Sequence, residues 1–143
     1  MAEDILKTAF EWAKDFELEG IEENLYEAEG LKVIDTNKVM DTTLDLAFEE
    51  LRETERAYVS AANETEIVDG YCDLAFVALN GIYKTFRYLG QTHEQAVENA
   101  EESLRRVCAA NSSKKIDGQV TKNANGKVIK PEDFQPPTFW DLV

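Results

Sequence analysis

Histidine is almost missing from this 143-residue chain, which has His93 alone, and cysteine is limited to Cys72 and Cys108 with no C-x-x-C spacing. That scarcity excludes a disulfide framework and a Cys/His zinc site. Both cysteines lie in apolar, helix-patterned stretches and are expected to be buried reduced thiols. Proline is confined to Pro131, Pro136 and Pro137, so no proline bars helix before residue 131. No apolar run approaches the roughly 20 residues that span a bilayer. The start, Met1-Ala2-Glu3-Asp4, is acidic where a signal peptide is basic, and a cytoplasmic protein is expected.

Basic residues are also scarce, 15 against 29 acidic, and the net charge of -14 opposes binding to a nucleic acid polymer or an anionic membrane. Residues 1–70 hold 20 acidic and 6 basic side chains, whereas residues 71–143 hold nine of each. Within the second half, residues 111–130 carry five lysines against one acid, Asp117. An acidic region followed by a local basic one suits a cation and a polyanion held together. With 43% hydrophobic residues the chain can bury a core, and its length fits a single domain over 1–143.

The apolar pattern is helical over most of that length. Ile5, Leu6, Ala9, Phe10, Trp12, Ala13 and Phe16 mark a first amphipathic helix over 3–18, ended by Gly20, with a connection or short helix over 21–36. A second helix is expected from about 37–41 to 61, with Leu44, Ala47, Phe48, Leu51 and Tyr58 on its buried side. Asn63 and Glu66 resemble a capping box that opens a third helix over about 64–89, before Gly90. This helix is apolar nearly all round, and such a helix is expected to be central. Thr92 and Gln95 form a second capping box, opening a fourth helix to about residue 110. Beyond it, 120–122 and 127–130 read as two short strands around an Asn125-Gly126 turn, followed by an extended tail whose Phe134, Phe139 and Trp140 are expected to pack on the body or on a partner subunit. The fold class is therefore all-α: a four- to five-helix bundle with a C-terminal β-hairpin.

Asp69 and Asp73 lie four residues apart on one face of the most apolar helix, with Glu66 one turn earlier. Burying them unpaired would cost several kcal/mol each, so a cation is expected to compensate. On the second helix Glu49, Glu50 and Glu53 form E-E-x-x-E, and two packed helices would direct Glu50, Glu53, Asp69 and Asp73 into one space. The plainer alternative is a solvated face partnered by Arg52 and Arg56. An oxygen-only set implies Mg²⁺, with Mn²⁺ as a substitute. No D-x-D-x-D-G loop is present for an EF-hand, and His93 at a helix start reads as a surface residue rather than part of a di-iron Glu-x-x-His.

E-E-x-x-E at 49–53, followed by Glu66-Ile-Val-Asp69-Gly-Tyr-Cys-Asp73-Leu-Ala-Phe-Val-Ala-Leu, resembles the metal motif of the all-α nucleoside triphosphate pyrophosphohydrolases, the MazG-like enzymes. The later Asn111-Ser-Ser-Lys114 and Asn125-Gly-Lys-Val-Ile-Lys130-Pro are similar to the tail of the MazG-like branch common in bacteriophages. The likeness covers residues from about 38 to 137. It departs from the usual E-x-x-D: position 70, three before Asp73, is glycine, and Asp69 and Asp73 stand at i, i+4 instead. Residues 1–37 match nothing in the family pattern, and 38–110 form its metal-binding helical core.

The resemblance implies cleavage between the α- and β-phosphates of a (d)NTP, giving a monophosphate and pyrophosphate. It implies Glu50, Glu53, Asp69 and Asp73 as metal ligands and Glu49 as the base that orients water. Glu66 follows either as a third ligand or as a carboxylate behind the ligands. Lys114 with Asn111, and Lys127 or Lys130, would hold the outer phosphates. Asn80, at i+7 from Asp73, would contact sugar or base, unless it is a packed amide. A homodimer or homotetramer is expected, because the third helix has more apolar circumference than one short chain covers. The competing class is a non-enzymatic acidic helical protein that mimics a polyanion.

Overall fold

The computed structural model describes residues 4–17, 36–61 and 63–143. Among them are four α-helices and no β-strand: α1 Ile5–Glu17, α2 Thr36–Arg56, α3 Glu64–Tyr88 and α4 His93–Ser112. The fold is all-α. A π-helical turn, Ala57–Ala61, continues α2. The expected Gly20 stop and the connection over 21–35 lie outside the described residues. The chain divides into two compact units, Met1–Val97 and Glu98–Val143, with α4 running across the boundary.

Local capping sets the helix starts. Asp4 opens α1 by accepting from the Lys7 amide at 3.1 Å, and Asn63 opens α3 by accepting from the Glu66 amide at 3.3 Å. Thr92 and Gln95 close a reciprocal box at the start of α4: Thr92 Oγ1 accepts from the Gln95 amide at 3.2 Å, and Gln95 Oε1 from the Thr92 amide at 3.0 Å. After α3, Gly90 takes φ +86°, which only glycine adopts without strain.

In the first unit, α2 and α3 form an antiparallel pair, with Thr43 against Gly81 near one end and Thr54 against Gly70 near the other. A methyl on Gly70 would stand 2.1 Å from Thr54 Oγ1, so the backbones approach closely there. This contact decides which face of α2 packs. Thr43, Thr54 and Ala57 are buried, while Leu44, Phe48, Leu51 and Tyr58, expected inside, are 49–71% exposed. Small side chains fit the narrow gap opposite Gly70 and Gly81; the bulkier leucines and aromatic residues turn away from it. Across α3 runs α1, with Phe10 stacked on Tyr83 at 5.6 Å and Trp12 edge-on to Phe76 at 4.9 Å.

α3 is the helix that both α1 and α2 pack on, as expected of a central element, but apart from Gly70 its buried residues lie in its C-terminal half. Tyr83, Lys84, Phe86 and Arg87 are inside, whereas Val68, Tyr71 and Cys72 are exposed. Cys108 is exposed as well, so neither thiol is the buried one expected. An apolar pattern all round a helix marks a surface to be covered, and within one chain α1 and α2 cover only part of it.

In the second unit, Arg106 of α4 grips the C-terminus. Its guanidinium donates to both oxygens of Asp141 at 2.7 Å and to the Thr138 carbonyl at 2.9 Å. Leu142 is buried and its carbonyl accepts from Asn99, but Trp140, expected to pack, is 86% exposed. The expected two-stranded hairpin is not formed: pairing is reduced to one bridge, Lys122 with Val128. Asn123 Oδ1 accepts from the amides of Asn125 and Lys127, holding a wide turn in which Gly126 alone takes positive φ. A type I′ turn, whose twist propagates strands, needs two such residues. That geometry occurs instead at Asp117-Gly118, φ +51° and +76°, under a second isolated bridge between Ile116 and Gln119.

Candidate functional site

The α2–α3 contact places the acidic residues. Thr54, which meets Gly70, also donates its hydroxyl to the Glu50 carbonyl at 2.7 Å, so Glu50 lies one turn from the closest approach. Its partly buried carboxyl is pushed above the ordinary carboxylate range, first by burial and then by the negative charges of Asp73, Glu53, Glu49 and Asp69. Two of these come from α3 and two from α2 itself. The five expected carboxylates therefore share one electrostatic environment, contributed by two helices that follow one another in the chain.

Their burial differs from expectation. Glu49, Glu53, Glu66, Asp69 and Asp73 are all exposed, because α3 turns Gly70 rather than the aspartates into the narrow gap. Repulsion around Glu50, not the cost of burying Asp69 and Asp73, is the force that would draw a cation here. Among the described residues no three acidic, histidine or cysteine side chains already form a metal cage. The donors nonetheless fit Mg²⁺ or Mn²⁺ in kind, being oxygen only and flanking a carboxylate that its neighbours destabilise in the charged form.

Toward the other end of the pair, Asn80 is 2% exposed and its Oδ1 has no hydrogen-bond partner among the described residues. Close by in sequence, Lys84 is equally buried; its ammonium donates to Thr43 Oγ1 at 3.0 Å, and burial lowers its pKa to about 8. Nothing in the apolar pattern singled Lys84 out, although a lysine on the same α3 face as Asn80, at i+4, was a usable signal. His93 is not the surface residue expected. Its Nδ1 meets the Tyr83 hydroxyl at 2.7 Å and its Nε2 meets Glu11 at 2.9 Å, tying α1, α3 and the start of α4 together.

The expected phosphate ligands belong to the second unit. Lys114 Nζ donates to Asn111 Oδ1 at the end of α4. Lys114 and Lys130 both lie over the ring of Phe134, at 5.4 and 5.1 Å from its centroid. Lys127 is exposed, and its backbone amide serves the Asn123 turn. Phe134, expected only to pack in the tail, gathers two of the expected lysines.

No protein-family model, no curated protein and no solved structure matches the chain. Among the described residues no helix is long and apolar enough to cross a membrane.

Proposed function

We propose that this protein is a divalent-metal-dependent nucleoside triphosphate pyrophosphohydrolase of the all-α, MazG-like kind that its motifs resemble, cleaving the α–β phosphate bond of a (d)NTP. The support is Glu50, whose carboxyl is raised first by burial and then by the charges of Asp73, Glu53, Glu49 and Asp69 across the α2–α3 pair. Glu50, Glu53, Asp69 and Asp73 would hold Mg²⁺. When bound, the ion neutralises charge developing on the phosphoryl oxygens. Glu49, exposed beside Glu50, orients the attacking water and takes its proton on a carboxylate oxygen. Glu66, one turn before Asp69, adds a further carboxylate on that face. Asn80 keeps its unpartnered Oδ1 as an acceptor for the sugar or base. Lys114, Asn111 and Lys130 supply affinity for the anionic phosphate chain, with Lys127 contributing charge.

The test is pyrophosphate release across a panel of (d)NTPs with Mg²⁺, on the natural chain and on Asp73→Asn. Turnover that disappears in the nearly isosteric variant, with helicity kept, is the expected result. Unchanged turnover would refute the site.

One observation favours a second reading, an acidic helical polyanion mimic: Glu49, Glu53, Glu66, Asp69 and Asp73 are all solvent-exposed, as a mimic requires. Thermal melting with Mn²⁺ separates the two. A ligand set is stabilised by the metal beyond the effect of matched ionic strength, whereas a mimic responds to ionic strength alone.

A further inference from the structure

The lysine-rich segment is the only stretch of the chain where cations clearly outnumber acids, and its charges are not spread evenly in space. Lys114 comes from just beyond the end of α4 and Lys130 from beyond the Asn123 turn, 16 residues later. Both ammonium groups meet one aromatic ring, at 5.4 and 5.1 Å from its centroid, so they lie no further apart than about 10.5 Å, the sum of those two distances. Two ammonium ions repel at such range unless something holds them. Here the negative face of the Phe134 ring attracts each one, and Asn111 Oδ1 accepts from Lys114. Phe134 is itself placed by a turn, its amide donating to the Pro131 carbonyl at 3.1 Å, and its side chain is partly buried. Neither ammonium is paired with a carboxylate among the described residues.

We infer that Phe134 is a positioning residue for a polyphosphate-binding site made by Lys114 and Lys130. The ring contributes no bond to the anion. It keeps the two cations within about 10.5 Å of each other, so that a ligand carrying charge on several phosphate oxygens meets both without first ordering two flexible side chains. A monophosphate, with its charge concentrated on one group, gains less from the pair than a triphosphate does. This rests on the reading of Lys114 and Lys130 as phosphate ligands, and it assigns the recognised chemistry as a chain of phosphates rather than a base or sugar.

The experiment is calorimetric titration of the full chain with sodium tripolyphosphate, without metal, alongside steady-state kinetics with (d)NTPs and Mg²⁺. Phe134→Leu is expected to weaken tripolyphosphate binding about fivefold, the loss of two cation–π contacts of about 0.5 kcal/mol each. Phe134→Tyr, which keeps the ring face, should bind like the natural chain. Lys130→Ala should weaken binding, and adding Phe134→Leu to it should cost less than Phe134→Leu does alone, since one of the two cations is already gone. A merely structural role for the ring would give additive losses and no rescue by tyrosine. Equal binding by the natural chain and Phe134→Leu, or no tripolyphosphate binding by the natural chain, would overturn the inference. Should Phe134→Leu fail to fold, Phe134→Tyr and Lys130→Ala decide it: Lys130→Ala binding like the natural chain overturns it. Binding that depends on Phe134 without hydrolysis of any (d)NTP leaves the inference standing and removes the enzyme. Hydrolysis whose KM is untouched by Phe134→Leu does the reverse.

Discussion

Replacing Gly70 with alanine probes the contact that builds the acidic site. In an isolated helix this change stabilises by about 0.8–1.0 kcal/mol, because glycine carries the larger entropy loss. In α3 the new methyl would sit 2.1 Å from Thr54 Oγ1, 3.1 Å from Thr54 Cβ and 3.3 Å from its Cα. Rotating the Thr54 side chain relieves the first distance but not the other two, so α2 and α3 must separate. Overpacking of this kind costs about 1–3 kcal/mol, which leaves a net loss of about 1 kcal/mol after the propensity gain. The variant should melt about 3 °C lower and show a reduced urea midpoint at unchanged slope, compared at equal protein concentration. Thr54→Ala removes only the 2.1 Å contact and keeps Cβ and Cα at 3.1 and 3.3 Å, so Gly70→Ala should remain destabilising in that background, though by less than in the natural chain. Wider helix spacing also moves Glu50 from Asp73 and Asp69, so its raised carboxyl should titrate nearer the ordinary range by NMR. Stabilisation by about 1 kcal/mol, the value for a free helical site, would refute the close approach and the site geometry built on it.

Further outcomes follow from other contacts. The two bonds from Arg106 hold Asp141 down to about 2, so the clasp is complete above the ordinary aspartate pKa of about 3.8 and is lost as pH falls through about 2. Fluorescence of the adjoining Trp140 should change over that window, and the change should vanish in Asp141→Asn; an identical titration in the variant would dismiss the clasp. Tyr83→Phe keeps the stack on Phe10 but removes the bond to His93 Nδ1, and should cost about 1 kcal/mol by urea unfolding, with no loss counting against the Glu11–His93–Tyr83 chain. Leu44, Phe48 and Leu51 of α2 and Tyr58 of the π-helical turn that continues it are exposed, and the first three recur at steps of four and three, the spacing of a helix-packing seam. Sedimentation at micromolar concentration should give a dimer or tetramer, and a stable 16.2 kDa monomer would refute the assembly.

Helix number and limits were legible wherever local chemistry decides them. Asn63 with Glu66 and Thr92 with Gln95 satisfy amide groups within four residues, so those starts need no partner from elsewhere. The grouping of Asp69 with Asp73, and of Glu50 with Glu53, was likewise legible, because helical periodicity alone puts each pair on one face. The orientation of α2 was not. Hydrophobic patterning turned Leu44, Phe48 and Leu51 inward, but the narrow gap at Gly70 and Gly81 accepts Thr54 and Thr43, and the apolar stripe faces out. The same contact exposed Asp69 and Asp73, where an apolar helix had suggested burial.

Neighbours within a turn and overall composition were enough to establish the all-helical class, the capped helix starts and the charge division between an acid-rich first half and a lysine-bearing second. Packing in three dimensions was needed to bring Asp73 to Glu50 across two helices, to join Tyr83 and Glu11 through His93, and to set Lys114 and Lys130 over the ring of Phe134. These pairings reach across as many as 82 residues of chain, and none has a periodic trace in the sequence. They follow from how closely two backbones approach and which side chains the gap admits, a steric property of packed elements rather than of any segment alone.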